Sequence, residues 1–577
     1  MEKNMKKFFL SMMTFCLFAG TAIFAADGTW NNAAGGAWET AGNWVGNTIA
    51  DGAGNTATFN ADTAAVVADA NRTIGVVSKN SANDIWINGG PLILSGGTPA
   101  VDVPGGNLYM NCALAGSSGF DKTGAGWLGL YNTTISGDIN VNAGWLWLFW
   151  ADAIKNADVK VNSGTALVLW DGVVANGKSI TVNNGGFIRP WDGTVGINAP
   201  LTCNYPDTGG NTFAVEAVGA DDIINLNSNI TLTANTVMAT TENGGTINFN
   251  APISGAANLR LLGRSAITSI GVFNFNAPCT YTGNTVLSTW GAKPRFEMSV
   301  NNALPCGSGA DEVKLFVSWG NGAPANVTLD LNDKTQQINK LFVAINADSV
   351  GQKAIITGSD AGVLEITNVF TTWEGTAGAS TLELTGGKII CNGPGCSLGL
   401  KMVITNATFI NNGSWWGAAL GEFELQSGAK IGGTGILGWT GVAASNLVIT
   451  SGATITPGNS IGTVGCWNLE MQDGSEYDWE VGVSADMVDV RGDLDISAGG
   501  ITVNVIDAGS PNGTYTLFAV TGSINGNPAT DITMNYAPTL SGTAAYLSGN
   551  NIVADVVPEP ATLGLLSLLA LAFLRRK

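Results

Sequence analysis

Three segments decide the fold: Ile139-Asn140-Val141-Asn142-Ala143-Gly144, Val159-Lys160-Val161-Asn162-Ser163-Gly164 and Ile180-Thr181-Val182-Asn183-Asn184-Gly185. Each alternates apolar and polar residues, reaches an asparagine and breaks at glycine, which is the signature of a half-buried strand followed by a turn. Their asparagines stand at 142, 162 and 183, so the period is 20 and then 21 residues. Later copies, Ile247-Asn248-Phe249-Asn250-Ala251-Pro252 and Phe273-Asn274-Phe275-Asn276-Ala277-Pro278, are 26 apart. One strand per period of this length predicts a chain that coils back above itself. Stacked coils pair their strands in parallel and bring the inward residues into apolar rows. Asparagine and glycine at the corners tolerate left-handed backbone angles. If about 500 residues wind at roughly 20–25 per coil, some 20–25 coils stack to an elongated ~100–120 Å.

Composition agrees. Glycine supplies 78 of 577 residues, only 12% are charged, and no 3.6-residue apolar period stands out. A leucine-rich horseshoe has a similar period but needs a Leu-x-x-Leu-x-Leu-x-x-Asn frame, which is not evident. The alternative fold is a series of antiparallel β-sandwich domains, which calls for tight two-residue hairpins. With 45% hydrophobic residues and 18 tryptophans, the chain has enough apolar surface for a large core. The absence of histidine removes His-dependent triads and His-anchored metal sites. A net charge of −19 without a basic stripe argues against nucleic acid.

Both ends read as targeting segments. Lys3, Lys6 and Lys7 precede an apolar run from Phe8 to about Gly20 and then small residues, which predicts a signal peptide over 1–25 cleaved after Ala25. At the other end Val557-Pro558-Glu559-Pro560 leads into the apolar run Ala561 to Leu574, closed by Arg575, Arg576 and Lys577. As a helix, 561–574 covers ~21 Å, so it spans a bilayer only marginally and leaves the basic cluster cytoplasmic. Each terminal segment carries +2, so the part between them carries −23.

This tripartite tail resembles the PEP-CTERM sorting signal of Gram-negative envelope proteins. The resemblance implies an exosortase-type processing enzyme as partner, cleavage near Pro558-Glu559-Pro560, and membrane attachment through the terminal helix before processing. It also implies an address at the cell surface, outer envelope or exopolysaccharide (biofilm) matrix, beyond the inner membrane. The expected division is therefore 1–25 signal peptide, 26–555 solenoid and 556–577 sorting tail.

The body resembles a second family. The tryptophan-spaced opening around Trp30, Trp38 and Trp44, the stretch Gly119-Phe120-Asp121-Lys122-Thr123-Gly124-Ala125-Gly126-Trp127-Leu128, and Gly452-Ala453-Thr454-Ile455-Thr456-Pro457-Gly458-Asn459-Ser460 resemble the autotransporter-associated β-strand repeat. The likeness runs patchily from Thr29 to Ile496, with a passenger-like portion over about 430–555. It implies a right-handed parallel β-helix on the cell surface. No series of alternating ten-residue strands suggests a membrane barrel, so export is expected to use other machinery.

Candidate chemistry is sparse. Cys391 and Cys396, separated by the four residues Asn-Gly-Pro-Gly, are a candidate disulfide, and the remaining cysteines sit in strand-like contexts as small apolar residues. No metal site or cofactor is expected. A polysaccharide hydrolase needs two converging carboxylates; Asp221 with Asp222, and Asp486 with Asp489, are the close pairs, and they read as turn acids. Arg491-Gly492-Asp493 reads as a strand–turn–strand. Aromatics are the stronger signal. Trp145, Trp147 and Phe149 share one face of a strand, Leu146, Leu148 and Trp150 the other, and rings on an outward face could stack on sugars. Trp415-Trp416 is the second such place. The expected function is a non-enzymatic structural protein of the envelope or matrix, contacting extracellular polysaccharide or neighbouring cells. The alternatives are a carbohydrate-binding adhesin using Trp145, Trp147, Trp415 and Trp416, and a β-helical lyase or hydrolase.

Overall fold

The computed structural model describes residues 25–559, except 61, 63–64, 69, 207–212, 266–269, 307–311, 319–324, 347–350, 375–379, 394, 398–399, 414–421, 438–445 and 510. The chain forms two compact units, Met1–Tyr205 with Gly210–Val215 and Pro206–Gly209 with Glu216–Lys577. Each is a parallel β-solenoid.

In the first unit, one face is built in chain order from Gly28–Trp30, Thr56–Phe59, Val76–Lys79, Ala100–Asp102, Phe120–Thr123, Ile139–Val141, Asp158–Val161, Ser179–Asn183 and Leu201–Asn204, each parallel to the next. The three repeats that set the period lie on consecutive rungs. Ile139 pairs with Val159, Val159 with Ile180 and Ile180 with Leu201, all without solvent exposure or nearly so. The asparagines act differently from the expectation. Asn142, Asn162, Asn183 and Asn204 form an outward ladder in which each amide Nδ2 donates to the Oδ1 of the preceding rung, at 2.7, 2.7 and 3.3 Å. The left-handed turn conformation falls to Gly144, Gly164 and Gly185, with φ of 65°, 75° and 80°. An amide is both donor and acceptor, so a column of asparagines at the strand spacing satisfies itself.

The opening tryptophans are interior. Trp30, Trp38 and Trp44 are at most 1% exposed and pack edge to face, 5.0–5.1 Å between ring centres, with Phe59 beneath them. Their indole nitrogens donate to the carbonyls of Asn32, Ala50 and Trp38. Two lysines are also interior. Lys122 Nζ donates to the carbonyls of Thr123, Gly124 and Ala143 at 2.8–2.9 Å, and Lys79 Nζ to those of Ser81 and Gly105. Each holds together a corner where the main chain turns and gathers carbonyls that point inward; of those bound by Lys122, the Thr123 carbonyl also accepts from the Val103 N–H. Burial pulls the pKa of Lys122 down to about 8, against the opposing pull of Asp102.

In the second unit the same construction continues with longer coils. Ile247 and Phe249 pair with Phe273 and Phe275, and Phe249 stacks on Phe275 at 5.1 Å. Asn274 Nδ2 donates to Asn248 Oδ1, and Asn248 Nδ2 to Asn225 Oδ1. Here the 26-residue period is one coil. Parallel pairing extends through Asn468–Met471, Leu494–Asp495 and Ile524–Asn525. The pattern then changes. Gly513–Val520, Leu540–Gly542 and Tyr546–Ser548 all pair antiparallel with Asn551–Pro558. Among the described strands, antiparallel pairing thus stands at the end of this unit, with only isolated antiparallel bridges elsewhere. Pro558 pairs with Leu540, and the Glu559 N–H donates to the Thr539 carbonyl at 2.8 Å. The one α-helix among the described residues, Pro528–Asp531, has four residues, and no helix among them is long and apolar enough to cross a membrane.

Asp486 forms a buried clasp. Its Oδ1 accepts from the Gly462 N–H at 2.7 Å, its Oδ2 from the Glu480 N–H at 3.0 Å, and its carbonyl from Trp479 Nε1 at 2.7 Å. Burial raises its pKa to about 7 and outweighs the two N–H donors, which favour the charged form.

Two outcomes are expected. Lys122→Met takes the ammonium donor from the Gly124 and Ala143 carbonyls, leaving the Thr123 carbonyl its Val103 N–H, and lowers the unfolding free energy by about 1–3 kcal/mol. Lys160→Met, at an exposed ion pair with Asp138, changes it by no more than ~0.5 kcal/mol in the same urea titration. For Asp486 the folded value lies above the ordinary one of 3.8. Between about pH 4 and pH 7 the folded protein therefore keeps a proton that the unfolded chain has lost, and stability falls as pH rises through that window. Urea midpoints measured across it should decline less steeply in Asp486→Asn; an unchanged slope contradicts the assignment.

Candidate functional site

In the first unit, the strand Trp145–Leu148 resolves which face looks out. Leu146 and Leu148 are fully buried inside the coil, whereas Trp145, Trp147 and Phe149 project outward. Trp150, on the alternation assigned to the leucine face, lies past the strand end and is 65% exposed. The parallel register sets these residues in columns. One reads Trp86, Tyr109, Gly129, Trp147, Val168, Arg189; the next reads Trp127, Trp145, Ala166, Phe187. A third follows at the strand ends through Tyr131, Phe149, Trp170 and Trp191, where Phe149, Trp170 and Trp191 each donate an N–H to the preceding rung.

Columns at the ~4.8 Å strand spacing force rings into contact. Trp127 stacks on Trp145 at 5.0 Å with planes 3° apart, and on Trp147 at 4.7 Å and 20°. Tyr131 stacks on Phe149 at 4.6 Å and 5°, and Trp86 on Tyr109 at 4.2 Å and 17°. The outer rings break from this plane. Trp170 is tilted 39° from Trp147, and Trp191 is tilted 49° from it at 4.7 Å. Together they line an open groove of about 610 Å³ made wholly of aromatic side chains.

Small residues make room beneath the rings. A Cβ at Gly129 would stand 2.7 Å from Tyr109 Cδ1 and 2.8 Å from Phe149 Cε2, so both rings lean over a position with no side chain. Ala166 and Val168 are buried against Trp147. Trp147 is itself only 3% exposed, and its Nε1 is buried without a hydrogen-bond partner. Trp145 is half-buried. The accessible indoles are instead Trp150, Trp170 and Trp191, the last two each 42% exposed. Burial, with a smaller contribution from Asp84 at Tyr109, raises the pKa of the Tyr109 and Tyr131 phenols, so both stay neutral donors. Carboxylates follow the exposed indoles closely in sequence. Asp171 and Asp192 directly follow Trp170 and Trp191, and Asp152, two residues after Trp150, is held below the usual carboxylate range by Asn176 and Lys155.

The other candidates are placed as follows. Trp415 and Trp416 lie outside the described residues, as do Pro560, Arg575, Arg576 and Lys577; Ala25 and Glu559 are exposed. Cys391 is buried at the end of Lys388–Cys391, and the side chain of Cys396 lies outside the described part of the chain. Burial pushes the Cys112 thiol up to about 11 and those of Cys203, Cys279 and Cys466 up to about 12. The paired acids do not converge. Asp222 Oδ2 accepts from the Val218 and Gly219 N–H groups while Asp221 is exposed, and Asp489 pairs with Arg491 rather than facing Asp486. Arg491-Gly492-Asp493 is a turn between Met487–Val490 and Leu494–Asp495, with Asp493 bound to Ser523. Among the described residues, no three of His, Cys, Asp or Glu gather where they could hold a metal ion.

What sequence reasoning missed is the reach of the site over successive coils. Trp86, Tyr109, Trp127, Tyr131, Trp170 and Trp191 join it through register alone. The repeated Trp170-Asp171-Gly172 and Trp191-Asp192-Gly193, one 21-residue coil apart, was the available signal. Gly129→Ala should displace Tyr109 and Phe149, weakening the near-UV circular dichroism of the stack while the far-UV spectrum holds, with a stability loss of about 1–3 kcal/mol. An unaltered near-UV spectrum contradicts the packing.

Comparison with known proteins bears on the tail of the chain and on a large part of its length. Residues 556–577 match the PEP-CTERM protein-sorting motif. The chain is also similar to the BmaC autotransporter adhesin of Brucella suis biovar 1 (strain 1330), 25% identical over 430 residues, covering 69% of this chain and 12% of that much longer protein. The chain thus joins a PEP-CTERM sorting motif to a parallel β-solenoid similar to part of an autotransporter adhesin, which points to an exported, cell-surface protein.

Proposed function

We propose that this is a non-enzymatic protein of the cell surface, outer envelope or exopolysaccharide matrix of a Gram-negative-type cell. Its outward aromatic face contacts extracellular carbohydrate, in the manner of an adhesin. The observation that carries the reading is the continuous aromatic surface over successive rungs, built on the outside of a coil whose core is already closed by Leu128, Leu146 and Leu167. Exposing so many rings costs solubility, and contiguous exposed apolar surface marks interaction sites. The likeness to an adhesin supports the same reading. Of the acids singled out in sequence, Asp222, Asp486 and Asp489 are engaged in turns, clasps and an ion pair, which supports a binding role over catalysis.

In this reading a leader over 1–25 directs export across the inner membrane, and the solenoid over 26–555 is the displayed part. The tail 556–577 holds it in the membrane until an exosortase-type enzyme cleaves near Pro558-Glu559-Pro560. The junction stands directly at the folded body, because the last strand ends at Pro558. Intact-mass spectrometry of protein taken from its native envelope should therefore show a C-terminus near Glu559, with Arg575 to Lys577 removed. Retention of those three residues in the surface form contradicts the sorting step.

A further inference from the structure

We propose that the aromatic groove of the first unit binds an uncharged polysaccharide laid along the coil axis, with Trp150, Trp170 and Trp191 as the stacking rings. This deepens the functional reading above and rests on it. The inner rings are poorly placed to stack on a ligand, because Trp127, Trp145 and Trp147 lie nearly parallel and their faces are covered by one another. Trp170 and Trp191 are tilted out of that stack, and Trp150 stands beyond the strand end, so these three keep ring surface open to the groove.

Three features select the ligand. First, the main-chain N–H and C=O groups of this face bond along the axis from rung to rung, so the face offers no strand edge to a peptide. A groove lined by flat aromatic rings suits the C–H faces of sugar rings instead. Second, the acids that follow the open indoles in sequence are Asp152, Asp171 and Asp192, which disfavour an anionic ligand; Asp152 and Asp171 are held by the Asn176 amide and the Thr194 N–H. The cations nearby are Arg189, on the outward columns with its Nε buried without a hydrogen-bond partner, and Lys155, paired with Asp152 at 3.3 Å; the three carboxylates outnumber the two. Third, Trp170 and Trp191 occupy corresponding places on consecutive rungs ~4.8 Å apart. A chain along the axis meets a new ring at each rung, and weak contacts to successive sugars add as linked binding events.

The test is affinity electrophoresis of the full chain through gels holding hydroxyethyl cellulose, dextran or alginate. Retardation by at least one uncharged glucan and not by alginate is expected, with free glucose failing to compete at millimolar concentration. Trp170→Ala/Trp191→Ala should weaken retention about tenfold or more, and Trp150→Ala several-fold. Both should keep the parent melting temperature, and Trp290→Ala, an exposed indole of the second unit, should bind as the parent does. Retention by alginate alone, or retention insensitive to these substitutions, overturns this site while leaving carbohydrate contact intact. Failure to bind any of the three polymers overturns both.

Discussion

The in-register parallel ladder governs the whole molecule. Once Val141, Val161, Val182 and Cys203 are fixed one above another by main-chain hydrogen bonds, every other residue of those strands acquires a vertical neighbour at the strand spacing. Each column then has to be compatible with itself, inside and outside the coil. Aliphatic columns fill the core, asparagine columns bond amide to amide, and aromatic columns stack. Like charges cannot be repeated in this way, and only 12% of the chain is charged.

The exceptions show the constraint at work. Lys79 and Lys122 enter the interior only where corner carbonyls receive the ammonium group. Asp486 enters where two N–H groups converge. Gly129 interrupts an aromatic column so that Tyr109 of the same column and Phe149 of a neighbouring one can close over it. The binding surface and the fold thus have the same origin: stacking positions Trp127, Trp145 and Trp147 firmly enough to support the tilted, open indoles above them.

Much of this was legible in the residues. The spacing of Asn142, Asn162 and Asn183 is the length of one coil, and the 26-residue step from Phe249 to Phe275 is another, because a solenoid repeats in sequence what it repeats in space. The site was only half legible. Alternation in Trp145–Trp150 separates two faces, but both are apolar, so pattern alone cannot say which is outside; the leucines went in because branched aliphatic side chains fill the narrow interior beside Leu128 and Leu167. The exposed set depended on strand ends, which alternation does not describe, and so Trp170 and Trp191 replaced Trp145 and Trp147 as the open rings. At Asn142, Asn162 and Asn183 the expected corner role went to the following glycines, since these amides bond to a neighbour above, whereas Asn302, Asn332 and Asn406 do take the left-handed conformation. The antiparallel close over Gly513–Pro558 has no period to betray it.

The most direct measurement of the central claim is a cross-link between rungs. With exposed Cys306 replaced by serine, Asn142→Cys and Asn162→Cys are introduced together and the folded protein is oxidised. Residues stacked on adjacent parallel strands lie ~4.8 Å apart at Cα, inside the 4.4–6.8 Å range of a disulfide. The account predicts rapid formation of the 142–162 bond, read by non-reducing peptide mapping, in protein that keeps its far-UV spectrum. Two thiols that stay reduced in that folded protein would contradict it.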